Sequence, residues 1–182
     1  VMPVLLKNID ATALTGKDQE YLNILRNWDL RNDADSKGAT VFFIFWNQFK
    51  TAVFGDEFAK VPNGVLSPQE STLEEAILRD STYKFIDNIN TPQKETLSDI
   101  TTQAFLAAGK ELRTIEIAKE LPWALYKGTE IDHLTKVIPA LNRLNLPIGG
   151  GDHIINATKK NHGPSWRMVV SLTPQTEAYG VY

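Results

Sequence analysis

The chain has 182 residues, of which 42% are hydrophobic and none is cysteine, and its formal net charge is −3. This length can bury one sizeable core, and the composition excludes a disordered or fibrous protein, a disulfide framework and a thiol nucleophile. Lys and Arg are not clustered among aromatics, which argues against nucleic acid, and the longest apolar run, around Val41 to Trp46, is too short to span a membrane.

The N-terminal third of the sequence predicts two helices. Thr15 and Asp18 approximate a capping box ahead of an amphipathic helix over about 17–28. After a polar turn, 29–35, Ser36 is a candidate N-cap for the next helix. That helix is apolar nearly all round over two turns, which is typical of a helix buried at the centre of a domain. Its main face carries Phe42, Phe45, Trp46, Phe49 and Val53.

Two more helices are predicted before residue 121. The break at 62–64 ends the preceding pattern, and Ser71 with Glu74 forms a capping box for a helix that carries Leu73, Ile77 and Leu78. Thr91 followed by Pro92 predicts the start of the longest helix, because proline loses no hydrogen bond at the first helical position. The apolar stripe of that helix is Leu97, Ile100, Thr101, Ala104, Phe105, Ala108 and Leu112.

Beyond residue 121 the apolar spacing changes from three-four to two. The segment 123–128 is short and aromatic, 131–134 alternates, and 137–144 is interpreted as a last helical turn or a loop. We therefore divide the chain into a mainly helical part, 1–121, and a strand-containing part, 122–182.

Three strands are predicted in the second part. The glycines 149–151 would be a flexible turn into the first strand, 153–157, which could pair antiparallel with the second, 166–172. The second strand alternates, with Trp166, Met168, Val170 and Leu172 on one face. A third strand would cover 177–182. The predicted fold class is α+β, mainly helical, with a few antiparallel strands.

Two motifs suggest ligand loops but fit structural turns better. The three glycines 149–151 are not followed by the Gly-Lys-Ser/Thr of a phosphate loop. The acidic turn Asp29–Asp35 is spaced like a calcium loop, yet Lys37 and Ile44 stand where oxygen ligands are required. We interpret both segments as turns.

The remaining polar motifs also favour structural roles. A Ser-His-Asp set could be assembled from Ser165, His162 and Asp152, but no Gly-x-Ser-x-Gly elbow is present. The segment 156–158 matches a glycosylation acceptor, a pattern that arises often by chance. The three histidines are far apart and lack a metal-binding spacing, so each is interpreted as structural: His133, His153 and His162.

The closing stretch 161–172, taken with 149–151, resembles the end of the penicillin acylase family of amide hydrolases. Earlier positions agree in their order: Trp28-Asp29 and then Asp35-Ser36 resemble family positions ahead of a buried helix. The aromatic segment 123–128 and the later His133 resemble another pair. The positions that resemble the family's closing strands are Gly150, Gly151, Asn156, Gly163, Ser165 and Arg167.

The resemblance implies a catalytic centre that lies outside this chain. In that family the nucleophile is a serine that opens the β-chain after self-cleavage, with its own α-amino group as the base, and a backbone N–H and an asparagine hold the oxyanion. Val1 has neither hydroxyl nor thiol, and no Asn-Gly-Pro-Gln segment is present. The family's Gly-Gly-Gln-Ser-Gly loop would follow Tyr182. No catalytic, cofactor-binding or metal-binding residue is therefore assigned.

The resemblance also implies what kind of parent protein the chain comes from and which partners it has. We expect an internal piece of the β-chain that contributes a helical layer and strands to the αββα sandwich of N-terminal nucleophile hydrolases. Its partners would be the remaining α- and β-chain segments and, for the parent, a small acyl amide such as a β-lactam or acyl-homoserine lactone. The expected location is periplasmic or secreted, and the strand 166–172 would be an unfinished edge that allows self-association.

Two further expectations complete the sequence interpretation. Arg167 would need a carboxylate or carbonyl partner on a largely buried sheet, and a structural role is favoured over a catalytic one. The alternative to the hydrolase fragment is an independent helical binding module with a β-hairpin and no catalysis, in which exposed apolar surface would bind a partner.

Overall fold

The computed structural model describes residues 1–59, 61–62, 65–66, 68–135, 137–152, 154–163 and 167–181, without the side chains of 167 and 181. The mainly helical α+β class predicted from the sequence is confirmed. The principal elements are α1 Met2–Asn8, α2 Lys17–Arg26, α3 Lys37–Phe58, α4 Glu70–Arg79, α5 Leu97–Ile117, α6 Trp123–Lys127, β1 Arg167–Ser171 and β2 Glu177–Val181.

The core forms where α3 packs along α5, with α2 against both of these helices and α1 against α5. Phe45 of α3 and Phe105 of α5 are both fully buried, and their rings meet edge to face with centroids 5.1 Å apart. Burial of each such side chain contributes about 1.5–3 kcal/mol. The prediction that α3 is the central buried helix is confirmed, because ten of its residues are buried.

The ends of the two long helices are fixed by side-chain caps. Ser36 caps α3 as predicted, since its Oγ accepts the Ala39 N–H at 3.2 Å. The predicted helix start at Thr91-Pro92 is wrong. Helix α5 begins after Thr96, whose side chain and that of Asp99 cap each other's backbone N–H reciprocally and so satisfy two of the helix's free donors. With 21 residues, α5 is one residue shorter than α3, so the prediction that it is the longest helix is also wrong.

Two predicted capping boxes are not formed, although the helices they announced exist. Helix α2 follows Gly16, which has φ of 48° and no side-chain cap, and Asp18 points instead toward α5. Helix α4 begins at Glu70, one residue before the predicted cap Ser71, with Gln69 preceding it. The sequence interpretation also missed α1, a short helix that packs on α5 through the Ser98 hydroxyl, which donates to Asn8 O at 3.0 Å.

The strands lie after residue 122, as predicted, but they pair differently. Strand β1 pairs antiparallel with β2, from Arg167 opposite Val181 to Ser171 opposite Glu177. The predicted strand 153–157 is wrong for 154–157, where only an isolated bridge joins Gly151 and Ala157. Residues 153, 166 and 182 lie outside the described residues. The segment 137–144 contains a 3-10 turn at Pro139–Leu141.

The β1–β2 hairpin is exposed on both faces. The exposed fractions of Met168, Val169 and Val170 are 54%, 59% and 38%, although successive side chains point to opposite faces. A two-stranded ribbon of this kind has no core of its own. The division at residues 121 and 122 and the place of these strands in an αββα sandwich stay predictions.

None of the helices in the described ranges is both long and apolar enough to cross a bilayer.

Candidate functional site

A groove of about 570 Å³ lies where the turn after α2, the first half of α3 and residues 123–154 meet. We call it the aromatic groove. Its wall is a run of rings in which Trp28 lies 5.4 Å from Phe42, and Phe42 lies 6.2 Å from Trp46, measured between ring centroids. Phe43 and Trp123 continue the wall at 5.4 Å. The groove therefore has an aromatic wall and a volume that suits a small ligand or an apolar side chain.

Three charged groups along this groove are paired. Trp46 donates its indole N–H to Glu70 Oε2 at 3.1 Å, and Lys50 forms an ion pair with the same carboxylate. Asp152 accepts from Lys159 at 3.0 Å. These charges are compensated within the protein, and the wall between them is aromatic, so the groove offers mainly apolar contact.

The three glycines 149–151 are joined by hydrogen bonds to Asn32 and Trp123, two residues that line the aromatic groove. Gly150 N–H donates to Asn32 O at 2.8 Å, and Trp123 donates its indole N–H to Gly150 O at 2.5 Å. A Cβ at Gly149 would lie 2.5 Å from Asn32 O, so a side chain is excluded there. The prediction that these glycines lead into a strand is wrong for 154–157. Instead they permit a close backbone approach in which hydrogen bonds join them to distant residues.

The acidic turn 29–35 is held by its own carboxylates. Asp29 Oδ1 accepts the Arg31 N–H at 3.0 Å, and Asp33 pairs with Arg31 Nε at 3.2 Å. Backbone bonds then join the turn to α6, with Ala124 N–H donating to Ala34 O at 2.8 Å. Across the described ranges, no group of three or more His, Asp or Glu is placed to hold a metal ion.

A threonine and a lysine meet behind the glycine turn. Lys127 Nζ donates to Gly149 O at 2.7 Å and to the hydroxyl of Thr158. The Thr158 hydroxyl in turn donates to Gly149 O at 2.9 Å, and the residue is only 2% exposed. A nucleophilic hydroxyl must give its proton to a base and reach a substrate. Here the proton is directed to a carbonyl and the oxygen is enclosed, so the contact is structural.

Of the histidines and the possible triad residues singled out in the sequence, the structure describes His133, His162 and Asp152, and their described contacts are with neighbouring loop residues. His133 Nδ1 lies 3.0 Å from the hydroxyl of Thr135, a local contact in an exposed loop. His162 joins Lys159 through backbone bonds, and Asp152 pairs with the Lys159 side chain. His153, Ser165 and the side chain of Arg167 lie outside the described residues.

Two adjacent carboxyls near the end of α3 form a second polar feature that the sequence interpretation missed. Asp56 Oδ1 and Glu57 Oε2 are enclosed, and neither makes a hydrogen bond of normal geometry to the described residues. Burial and then proton sharing with Asp56 raise the pKa of Glu57 to about 7. Burial opposes the charge of Asp56 as well, but hydrogen bonds from Glu57 and from Ile89 N–H leave the pKa of Asp56 below its usual value. The available signal was an adjacent acidic pair in the last turn of a helix whose main face is apolar.

The sequence also matches one known family along its whole length. The family described as penicillin amidase matches residues 1–182. The chain belongs to the penicillin amidase family. No curated protein and no solved structure matches it.

Membership in the penicillin amidase family confirms the family resemblance of the sequence. Of the positions that suggested it, Trp28 lines the aromatic groove, and Gly150 is hydrogen-bonded to Asn32 and Trp123, which also line it. Trp28 covers the start of α3, where a Cβ at Gly38 would lie 2.3 Å from the indole. These positions therefore serve close packing.

Proposed function

We propose that this chain is a scaffold section of an amide hydrolase, and that the catalytic serine is supplied by a segment outside these 182 residues. The observation that carries the proposal is the penicillin amidase match over the whole chain, which supports an amidase-type hydrolase. The parent enzyme would cleave an acyl group from a small amine, such as a β-lactam nucleus or a homoserine lactone, in the periplasm or outside the cell.

The chemistry of the described residues supports a scaffold role. Amide hydrolysis needs an accessible nucleophile beside a base, together with donors for the oxyanion. The Thr158 hydroxyl is enclosed and directs its proton to Gly149 O, while Thr135 contacts His133 only within a local turn. In neither contact does the hydroxyl both reach a substrate and face a base that is oriented by a third group. The aromatic groove offers apolar contact, and Lys50, Glu70 and Asp152 along it are already paired.

The exposed hairpin supports a requirement for additional segments. Strands β1 and β2 carry apolar side chains on both faces and leave edge backbone groups without a strand partner in the described structure. Further strands would cover these side chains and complete the hydrogen bonding of the edges. The remaining α- and β-chain segments of the parent are the proposed partners.

A complementation experiment tests this proposal. The 182-residue chain is incubated with chromogenic phenylacetyl and long-chain acyl amides, alone and after addition of the remaining parent segments in trans. We expect background hydrolysis for the chain alone and measurable turnover after complementation. A Ser→Ala change at the start of the added β-segment is the control and should abolish the turnover.

Two outcomes would contradict the proposal. Turnover by the chain alone that disappears when one of its own residues is replaced would place the nucleophile here. A stable monomer that ignores the added segments would favour the alternative, an independent helical binding module. That alternative is supported by the preformed aromatic groove, which could hold an apolar side chain of a partner.

A further inference from the structure

A second pocket, of about 320 Å³, adjoins the aromatic groove and shares Phe43, Trp123 and Asp152 with it. We call it the basic pocket. Three rings form its apolar wall: Phe43 lies 5.4 Å from Trp123 and 5.9 Å from Tyr126, and the last two are 6.0 Å apart. Its volume is at the lower end of the range of small-molecule sites, about 300–1,000 Å³. The wall therefore suits one planar ring.

The charges around the pocket are mainly positive, although the chain as a whole carries −3. Lys127, Lys159 and Lys160 line it, and Asp152 is the one carboxylate among its described lining residues. Asp152 is engaged by Lys159 at 3.0 Å. The Lys160 side chain has no ion pair with a described residue. The pocket is thus complementary to an anion.

Lys127 is a partly buried cation of the basic pocket that has no described counter-charge. Its ammonium group has three N–H donors, and two of them go to neutral acceptors, Gly149 O and the Thr158 hydroxyl. No described carboxylate pairs with it. Burial alone lowers the pKa of Lys127, because the surroundings disfavour an uncompensated charge. A bound anion would compensate the charge and accept the third N–H.

We propose that the basic pocket binds a small planar aromatic anion, with its ring on the Phe43–Trp123–Tyr126 wall and its anionic group on Lys127 and Lys160. A charge-assisted hydrogen bond to the ammonium supplies the orientation, and stacking on the rings selects a planar ligand over an aliphatic one. The inference rests on the pocket alone and does not depend on the proposed function.

The test uses the full chain and three probes of matched size or charge. Benzoate carries both features, benzyl alcohol keeps the ring without the charge, and acetate keeps the charge without the ring. Binding is measured by calorimetry, and the site is located by the shift of the Trp123 indole N–H signal in NMR spectra. We expect benzoate to bind at least tenfold more tightly than either of the other probes and to shift the Trp123 signal.

Three substitutions separate the contributions. Lys127→Met should weaken benzoate binding at least tenfold, while Lys110→Met, which removes the same charge from an exposed site on α5, should leave it unchanged. Because Lys127 also supports the glycine turn, Phe43→Leu provides a second variant at a side chain that is already 36% exposed. It should weaken benzoate binding severalfold without changing the weak binding of acetate.

The proposal is overturned if benzoate does not bind, or if it binds without moving the Trp123 signal. Equal affinities for benzoate and benzyl alcohol would remove the role of the lysines, and equal affinities for benzoate and acetate would remove the role of the rings. Unchanged benzoate binding in both Lys127→Met and Phe43→Leu would place the ligand elsewhere.

Discussion

Arg113 donates to Asp18 across 2.7 Å, and this ion pair joins α5 to α2. The Asp18 side chain is 10% exposed, whereas that of Arg113 is 40% exposed, so the carboxylate is the buried member of the pair. Gly109 makes room for it, since a Cβ there would lie 2.0 Å from Asp18 Oδ1. The buried charge of Asp18 therefore depends on one arginine and one glycine.

The first prediction is that Arg113→Met destabilises the protein by about 2 kcal/mol, because it leaves a buried carboxylate without its partner. The value is less than for a fully buried pair, since solvent reaches the arginine. Urea unfolding followed by circular dichroism measures it. Arg26→Met, an exposed site on α2, is the control and should change the unfolding free energy by less than about 0.5 kcal/mol. Equal effects of the two substitutions would contradict the role given to Arg113.

The second prediction concerns the glycine turn. Gly150 has φ of +88°, and an added Cβ would lie 2.2 Å from the backbone oxygen of Asn156. Gly150→Ala should therefore cost about 2–4 kcal/mol and open the turn. Hydrogen exchange of the Gly151 amide, which donates to Asn156 O at 3.1 Å, reports the opening and should accelerate more than tenfold. A Cβ added at Gly180 would have no atom within 4 Å. Gly180→Ala should therefore hardly change the stability or the amide exchange, and similar behaviour of the two variants would refute the prediction.

The third prediction is a pH dependence at the Asp56–Glu57 pair. The pKa of Glu57 is raised to about 7 from 4.5, so the folded protein holds this proton more tightly than the unfolded chain does. The resulting stability is fully present below pH 4.5 and is lost as the pH rises through 7. Glu57→Gln removes the charge and should raise stability at pH 8 by on the order of 1 kcal/mol, discounted because the side chain is partly solvated.

Unfolding measured from pH 5 to 8 tests this prediction. The wild-type curve should fall toward pH 8 relative to Glu57→Gln, and the two should converge near pH 5. Glu120→Gln, at an exposed site after α5, serves as the control and should follow the wild type throughout. A constant difference between wild type and Glu57→Gln over this range would show that the carboxyl does not titrate there.

The fourth prediction is self-association through the exposed hairpin. An apolar ribbon with open edges can pair with another copy of itself, and each covered side chain would contribute about 1.5–3 kcal/mol. We expect the isolated chain to form dimers or larger species at micromolar concentration, and Met168→Lys with Val170→Lys to make it monomeric. Sedimentation analysis measures the mass. Ile117→Lys, which changes an apolar residue that is 83% exposed on α5, should leave the association intact.

Periodicity in the sequence was sufficient to predict the helical half of the fold. The apolar residues of α3 and α5 recur on helical faces over five or more turns, so both helices and their burial followed from the pattern. The first residue of each helix could not be predicted in the same way, because several hydroxyl residues near each start are candidate N-caps. Thr96 and Asp99 satisfy each other reciprocally, which Thr91 and Pro92 cannot do.

The contacts around the groove could not be predicted, since they join residues distant in sequence. The bond from Trp123 to Gly150 and the bond from Gly150 to Asn32 depend on how three loops meet. Three successive glycines indicated a close approach but not its partner. The pairing of β1 with β2 was missed because residues 154–157 were expected to be the partner strand, whereas Asn156 O is engaged by Gly151 N–H in a turn.

Because α3 is apolar nearly all round, its side chains need partners from later parts of the chain, and this matters during synthesis on the ribosome. Helix α3 ends at Phe58, and α5, which covers much of it, is complete only at Ile117. At about 5–20 residues per second, the roughly 60 intervening residues take on the order of 3–12 s to synthesise. During that interval a growing chain exposes rings such as Phe45 and Phe49 without their eventual cover. We therefore expect nascent chains that stop between these two helices to be held by chaperones, and those that extend past α5 to be released.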